Sequence, residues 1–211
     1  MHFVPKGDSP QVAMTLDACM GETDMRILQP LIDHAIPVTI FATKRWLDHN
    51  PVVIKLLQQH PELFQIEDHG AQHLPAIIGN DHPYGLAPAG TAAAVQAEVM
   101  GGSIAVTQAF GTTPKWYRDA GALYTRDAMA LIQTLGFRIA GFSLNGDIGA
   151  SVSGPTAYKR ISAAKSGDVI ISHINQPTRP AGEGVIAGIL ALKVRGFAFV
   201  HLDDVAITAI A

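Results

Sequence analysis

Residues 168–173 read Asp168-Val169-Ile170-Ile171-Ser172-His173, a short apolar run that ends in a polar pair. Its consecutive β-branched residues lack the polar–apolar alternation of a half-exposed strand, so the run predicts a strand covered on both faces. Such strands are typical of parallel sheets that are covered by helices. The histidine then lies at the carboxyl end of the strand, which is where ligands bind in sheets of this kind.

The same pattern recurs along the chain. Further strands are predicted at 12–16, 38–42, 64–67, 115–117, 138–144 and 197–202. Helices are predicted at 25–36, 52–60, 92–110, 127–135, 155–165 and 184–194, and a long loop rich in Pro and Gly at 74–88. Because no linker-like break interrupts this alternation, we predict a single α/β domain over residues 1–211, with its parallel sheet either open or closed into a barrel.

The composition excludes several function classes. The 211 residues include 15 Lys and Arg, 18 Asp and Glu, 9 His and one Cys, which gives a net charge of −3. This balance lacks the basic footprint of a nucleic-acid binder, and one cysteine excludes an internal disulfide. No apolar run approaches the ~20 residues that span a bilayer. The first ten residues have no signal-peptide pattern, so the compartment stays open, with a periplasmic or secreted location expected only if a leader was removed.

Polar residues follow the predicted strands and are expected on one rim of the sheet: Asp17, His69, Arg118, Asn145, His173 and Asp203. His73 follows His69 by four residues, and on a helical turn this spacing brings both imidazoles within reach of one metal ion. Imidazole ligands suit zinc, cobalt, nickel or iron. Each rim residue also has a structural interpretation: Asp17 as a helix cap, His173 as a core histidine and Arg118 as a surface ion-pair partner.

The chain resembles the NodB-type polysaccharide deacetylases, carbohydrate esterase family 4, in five motifs that occur in the family's order. The family's Thr-Phe-Asp-Asp is similar to Thr15-Leu16-Asp17-Ala18, and its His-Ser/Thr-x-x-His to His69-Gly70-Ala71-Gln72-His73. Its Arg-x-Pro-Tyr is represented by Arg118-Asp119-Ala120-Gly121, and its Asp-x-x-Asp-Trp stretch falls at Ser143-Leu144-Asn145-Gly146-Asp147. Its Ile-x-Leu-x-His is similar to Val169-Ile170-Ile171-Ser172-His173.

The resemblance implies a distorted (β/α)7 barrel and a metal-dependent hydrolase that removes an acetyl or related acyl group from an amino sugar or polysaccharide. It implies a divalent metal, zinc before cobalt, nickel or iron, held by His69 and His73. The metal would lower the pKa of a bound water, and Asp17 would take the proton of that water as general base. Arg118 would keep the Asp17 carboxylate ionised.

The remaining catalytic roles are also carried over by the resemblance. His173 would protonate the departing amine, and either Asp147 or Asn145 would orient the His173 ring. A backbone N–H near Gly121 would help to hold the developing oxyanion. The substrate would be a carbohydrate, and the sequence does not indicate an oligomeric state.

Ala18 departs from the family at the position of its third metal ligand. Three outcomes stay open. Asp17 moves onto the metal and another group becomes the base, or a carboxylate from elsewhere replaces the ligand, with Asp68, Asp81 and Asp203 as candidates. Otherwise the metal is lost, and the barrel is a non-catalytic carbohydrate-binding protein.

Two further residues lie beside the motif residues, and one further function class is compatible with the predicted fold. The lone Cys19 offers a thiolate, but we interpret it as a small buried hydrophobe. Asp119 stands beside Arg118 and is expected to compete for its guanidinium group. Because a fold alone does not determine a function, a hydrolase of other C–N bonds is a third hypothesis.

Overall fold

The computed structural model of the chain describes residues 1–208. The strands are β1 (His2–Val4), β2 (Gln11–Ala18), β3 (Val38–Ala42), β4 (Phe64–Asp68), β5 (Trp116–Tyr117), β6 (Arg138–Ile139), β7 (Leu144–Asn145), β8 (Val169–His173), β9 (Ala198–Phe199) and β10 (Ala206–Thr208). The α-helices are α1 (Met25–Asp33), α2 (Lys44–His49), α3 (Pro51–Gln58), α4 (Ala92–Phe110), α5 (Arg126–Thr134), α6 (Gly154–Ser162) and α7 (Ala181–Val194). Among these helices, none is both long and apolar enough to cross a membrane.

The main sheet is parallel and curled. Its strands follow the order β6-β5-β4-β3-β2-β8-β7, and β9 pairs with the beginning of β2. β6 and β7 lie at opposite edges of this order although both come from the stretch 138–145. The sheet must therefore curl until its edges approach each other, which gives the distorted seven-stranded β/α barrel that the family resemblance implies.

The predicted strand over 138–144 is in fact two short strands. Between them, the carbonyl oxygen of Gly141 accepts a hydrogen bond of 3.0 Å from Nη2 of Arg118. A carbonyl that turns into the barrel in this way is not available to a neighbouring strand, so the ladder is interrupted at this point. β6 consequently pairs with β5 and β7 with β8.

The predicted last strand over 197–202 is shortened to β9, which pairs only with Gln11 and Val12 at the beginning of β2. The chain then turns at Leu202–Asp204, beneath the amino ends of the strands. Asp203 accepts a hydrogen bond of 3.0 Å from Nε1 of Trp116 and another from Lys115. The prediction that Asp203 lies on the rim with the other polar residues is therefore wrong. The sequence patterns also missed α2 and the antiparallel pair β1–β10.

Alternation along β2 separates two layers of the core. Met14 and Leu16 belong to the apolar cluster between the sheet and the helices, whereas Ala13 packs inside the barrel with Phe41. The inside of the barrel is apolar near the amino ends of the strands, where Leu202 closes it. Because side chains alternate along a strand, the same rule directs Thr15 and Asp17 into the barrel, nearer its carboxyl end.

Helices α6 and α7 meet through glycine. A Cβ added to Gly184 would lie 1.8 Å from the carbonyl oxygen of Gly154, and one added to Gly188 would lie 2.7 Å from Cβ of Ile161. Only glycine allows two backbones to approach this closely. α6 follows the loop that carries Asp147, and α7 follows the loop after β8, so the contact holds these two loops together.

Candidate active site

Asp17 and Arg118 form a buried ion pair inside the barrel. Nη1 of Arg118 lies 2.8 Å from Oδ1 of Asp17 and 2.8 Å from Oγ1 of Thr15. The guanidinium carbon also lies 4.2 Å from the centroid of the Phe41 ring. Arg118 is fully buried and Asp17 is 2% exposed, so water screens this pair weakly. The arrangement holds one carboxylate oxygen firmly and leaves Oδ2 to face the rest of the site.

The environment keeps Asp17 ionised. Burial raises the pKa of Asp17, but the charge of Arg118 and the nearby imidazoles of His69 and His173 lower it by more, so the pKa lies below its ordinary value. The carboxylate is therefore in the ionised form, which is the form that can accept a proton.

His69 is oriented by a main-chain carbonyl. Its Nδ1 lies 2.7 Å from the carbonyl oxygen of Arg118, and because a carbonyl only accepts, Nδ1 carries the hydrogen. Nε2 then points to Sγ of Cys19 at 3.5 Å and to Oδ2 of Asp17 at 3.8 Å. Burial lowers the pKa of His69, but the Asp17 carboxylate and the Cys19 thiol raise it by more, to about 9.

His73 meets His69 across a bent loop rather than on the predicted helical turn. The two ring centroids are 5.0 Å apart, and the rings are inclined by 70°. His73 has a φ of 66°, which a helix would not allow. The expected convergence of the two imidazoles is confirmed, but the helical reason for it is wrong.

Glu98 holds this loop in place. Its carboxylate accepts hydrogen bonds from the backbone N–H of Gln72 at 2.8 Å and of Leu74 at 3.1 Å, on both sides of His73. Its own carbonyl accepts a third bond of 3.0 Å from Ala71. Sequence reasoning missed Glu98. The available signal was that Glu98 is the one charged residue of α4, and the structure shows that it is buried.

Cys19, His69 and His73 form a group of potential metal ligands. Their ligand atoms all lie within 4.8 Å of one another. Cys19 is buried, as expected, but its Sγ lies among imidazoles rather than apolar side chains. Burial raises the pKa of the thiol, but hydrogen bonds with His173, His69 and His73 lower it by more, well below its ordinary value. Asp17 is outside this group, and its role as a ligand stays a prediction.

The carboxylates expected as replacement ligands lie elsewhere. Asp68 turns towards α4, where a Cβ on Gly102 would lie 2.0 Å from its Oδ1, and that oxygen accepts the N–H of Gly70 at 2.8 Å. Asp81 is exposed on the long loop, and Asp203 lies at the opposite end of the barrel. None of the three belongs to the group of ligand atoms among the described residues.

His173 is paired with Asp147. Its Nδ1 lies 2.9 Å from Oδ1 of Asp147, whose Oδ2 accepts the His173 backbone N–H at 2.7 Å. Burial lowers the pKa of His173, but the bond to Asp147 and the Cys19 thiol raise it by more, well above its ordinary value. Asn145 instead accepts the N–H of Ile148. Of the two residues predicted to orient His173, Asp147 is therefore the one that contacts the imidazole ring.

Asp119 does not compete for the guanidinium group of Arg118. Its carboxylate accepts the backbone N–H of Ala76 at 2.8 Å and of Leu123 at 2.9 Å, and so joins two loops. Burial raises the pKa of Asp119 to about 8. The expectation of competition is wrong because these backbone donors turn the carboxylate away.

These groups open into a cavity of about 350 Å³ at the carboxyl ends of the strands. Its lining includes Asp17, Cys19, His73, Phe142, Gly121 and His173. Tyr84 and Ile148 stand at its edge, where they are 79% and 48% exposed, and both have positive φ values. Non-glycine residues in this conformation are strained, and such strain clusters at functional sites. The cavity therefore brings together the Asp17 carboxylate, the His173 imidazole and two members of the group of potential metal ligands.

The sequence model of the polysaccharide deacetylase family matches residues 5–140, more than half of the chain. The chain belongs to the polysaccharide deacetylase family. No curated protein sequence matches it. The motifs quoted above in the matched range carry Asp17, His69, His73 and Arg118, whereas the Asp147–His173 pair lies beyond it.

Solved structures share the fold of this deacetylase-family chain. A family 4 carbohydrate esterase from Streptomyces lividans, in complex with acetate, is 17% identical with a TM-score of 0.73, covering 95% of this chain and 98% of that one. Peptidoglycan deacetylase PdaC from Bacillus subtilis is 16% identical, with a TM-score of 0.73 and coverages of 93% and 90%.

A CE4 family pseudoenzyme from Bacillus anthracis is also similar. It is 15% identical with a TM-score of 0.75, covering 93% of this chain but only 65% of that one. The deacetylase-family chain thus spans about two thirds of the pseudoenzyme's length. At these identities the likeness establishes the barrel fold, and function must be argued from the site.

Proposed function

We propose that this chain is a metal-dependent deacetylase that hydrolyses the acetyl amide of an amino sugar in a polysaccharide. The observation that carries the proposal is the convergence of three groups on one cavity. These are the Asp17–Arg118 pair, the His69 and His73 imidazoles, and the His173–Asp147 pair. Family membership supports amide hydrolysis in general, and the geometry of the site supports the catalytic roles that are proposed below for its residues.

The residues present fit a divalent metal. In the neutral ring, Nδ1 of His69 keeps the hydrogen that it donates to the carbonyl of Arg118, and Nε2 is the nitrogen left to bind a metal, an arrangement typical of metal-binding histidines. His73 and Cys19 place further ligand atoms within 4.8 Å. Borderline-soft ions such as zinc or cobalt match imidazole and thiolate ligands. When bound, such an ion polarises the acyl carbonyl and makes water more acidic.

The chain's own residues then move two protons. Asp17 accepts one proton from the attacking water at Oδ2, while Arg118 holds Oδ1. The water oxygen bonds to the acyl carbon, and His173 donates its proton to the amide nitrogen as the C–N bond breaks. Asp147 keeps the His173 ring aimed during this transfer. The products are acetate and the free amine of the sugar.

The absence of a ligand atom at Ala18 favours a second candidate function. The side chain at this position is fully buried in the apolar cluster and offers no ligand atom, which favours a non-catalytic carbohydrate-binding protein on the same barrel. This alternative predicts that oligosaccharide binding occurs without turnover and survives removal of metal.

One experiment separates the two functions. Purified protein loaded with zinc is incubated with N-acetylated chitooligosaccharides and with N-acetylated peptidoglycan fragments, and released acetate is measured. We expect acetate release that a chelator stops and that added zinc restores. Oligosaccharide binding without acetate release, unchanged by the chelator, would reject the deacetylase in favour of the binding protein.

Replacing Asp147 with Asn should shift the pH dependence of acetate release. Asp147 holds the pKa of His173 well above its ordinary value, so the acid keeps its proton until the pH rises through that raised value. Without the carboxylate, His173 titrates closer to the ordinary histidine value of about 6.5. The basic limb of the kcat profile should therefore move to lower pH, and an unmoved limb would show that Asp147 does not tune His173.

A further inference from the structure

We propose that Cys19 is the third protein ligand of the metal, so that the centre is a Cys-His-His site in which a thiolate replaces the family's missing aspartate. The inference rests on the proposed function only in assuming that a metal binds. It also implies that Asp17 remains the base and does not move onto the metal.

The distance between Cys19 and His69 matches that between two ligands of one tetrahedral ion. Zinc–sulfur bonds of about 2.3 Å and zinc–nitrogen bonds of about 2.0–2.1 Å place the sulfur and nitrogen atoms of a tetrahedral site roughly 3.5–3.6 Å apart. Sγ of Cys19 lies 3.5 Å from Nε2 of His69. His73 adds the third ligand atom within 4.8 Å of both. Cys19 and His73 also line the cavity, so water and a substrate would have access to an ion held by these residues.

Strand alternation explains why residue 19, and not residue 18, reaches this position. Asp17 points into the barrel, and Ala18 packs outward into the apolar cluster beneath the helices. Cys19, the next residue along, returns to the side of the cavity and contacts His69. The thiolate carries the same single negative charge as the absent carboxylate, so the charge of the site is preserved.

The partners of Asp17 argue against its transfer to the metal. Arg118 binds Oδ1 at 2.8 Å in a fully buried pair, and the group of converging ligand atoms excludes this carboxylate. Because Arg118 occupies Oδ1, only Oδ2 could reach an ion, and binding through Oδ2 would use the oxygen that accepts the proton of water in the proposed mechanism.

Cobalt substitution tests the proposal directly. The metal-free chain is titrated with Co²⁺, and the absorption spectrum is followed for a thiolate-to-cobalt charge-transfer band in the near ultraviolet. We expect one such band that saturates at one cobalt per chain. Because Cys19 is the only cysteine, a thiolate band can have no other source in the chain.

Two variants supply the controls. Cys19→Ser should lose the band and bind Co²⁺ at least about 10-fold more weakly, by comparison with the 10–100-fold effects of mutations in the outer shell of metal sites. Cys19→Asp restores the family's ligand type and should bind Co²⁺ without the band. Circular dichroism and thermal unfolding of both variants verify that each is folded before its spectrum is compared.

Failure of the Cys19 ligand and failure of the proposed deacetylase activity give different results. A full complement of cobalt without the band, or a Cys19→Ser variant with unchanged affinity, would overturn the thiolate ligand. So would acetate release that resists chelators and stops on alkylation of Cys19, since the cysteine would then be a nucleophile. A clear band without acetate release would preserve the Cys-His-His site and reject only the deacetylase.

Discussion

Replacing Asp17 with asparagine is expected to slow acetate release by about 10²–10⁴-fold, the usual contribution of a general base. Asparagine has nearly the same shape and still accepts a hydrogen bond from Arg118, but it cannot take a proton from water. The measurement is kcat/KM for acetate release at saturating zinc. The zinc content is determined in the same samples, because the proposed base should be removable without loss of the metal.

Asp203→Asn is the matched control for this substitution. Asp203 was expected on the same rim but lies at the opposite end of the barrel, bound to Lys115 and Trp116. Its replacement should leave acetate release within about twofold of the parent while the protein remains folded, since surface substitutions change little. Equal losses from both substitutions would contradict the assignment of Asp17 as base.

Replacing Arg118 with methionine is expected to lower the free energy of unfolding by about 3–5 kcal/mol, because it leaves the buried Asp17 carboxylate without its cation. The measurement is urea denaturation at neutral pH. The double variant Asp17→Asn/Arg118→Met removes both charges and should recover part of this loss. A loss of unfolding free energy below about 1 kcal/mol in the Arg118→Met variant is the value typical of exposed ion pairs. It would contradict a strong, weakly screened interaction between Asp17 and Arg118.

The polar residues of the site were predictable because the rule behind them is local. A residue that follows a parallel strand lies at the carboxyl end of the sheet, and this rule alone predicts that Asp17, His69, Arg118 and His173 lie together. The distances from Asp17 to Arg118 and to His69 confirm the grouping for those residues. The seven-stranded alternation likewise follows from local apolar patterns.

Other features depend on pairing between distant parts of the chain. Asp203 follows an apolar run just as His173 does. However, the run before Asp203 pairs only with the beginning of β2, and Asp203 therefore lies at the opposite end of the barrel from His173. Local periodicity contains no information about which end of a neighbouring strand is paired. The same limit explains why 138–144 was predicted as one strand, since the inward turn at Gly141 depends on Arg118.

The thiol of Cys19 shows a third kind of limit. From sequence, a lone cysteine next to an apolar strand is typical of a small core residue. Its proposed role as a ligand depends on His69 and His73, which are about fifty residues away, and the loop around His73 is held by Glu98 on α4. A role that requires three separate segments to meet could not be derived from any one of them.

The glycine contact between α6 and α7 and the Glu98 carboxylate on α4 support different loops of the site. The loop that carries Asp147 and the loop after His173 lead into the two helices that meet at Gly154 and Gly184, while Glu98 binds the loop around His73. A side chain at Gly184 would meet the carbonyl oxygen of Gly154 and force the two helices apart. The spacing of the loops that line the cavity therefore depends on atoms that lie outside the barrel.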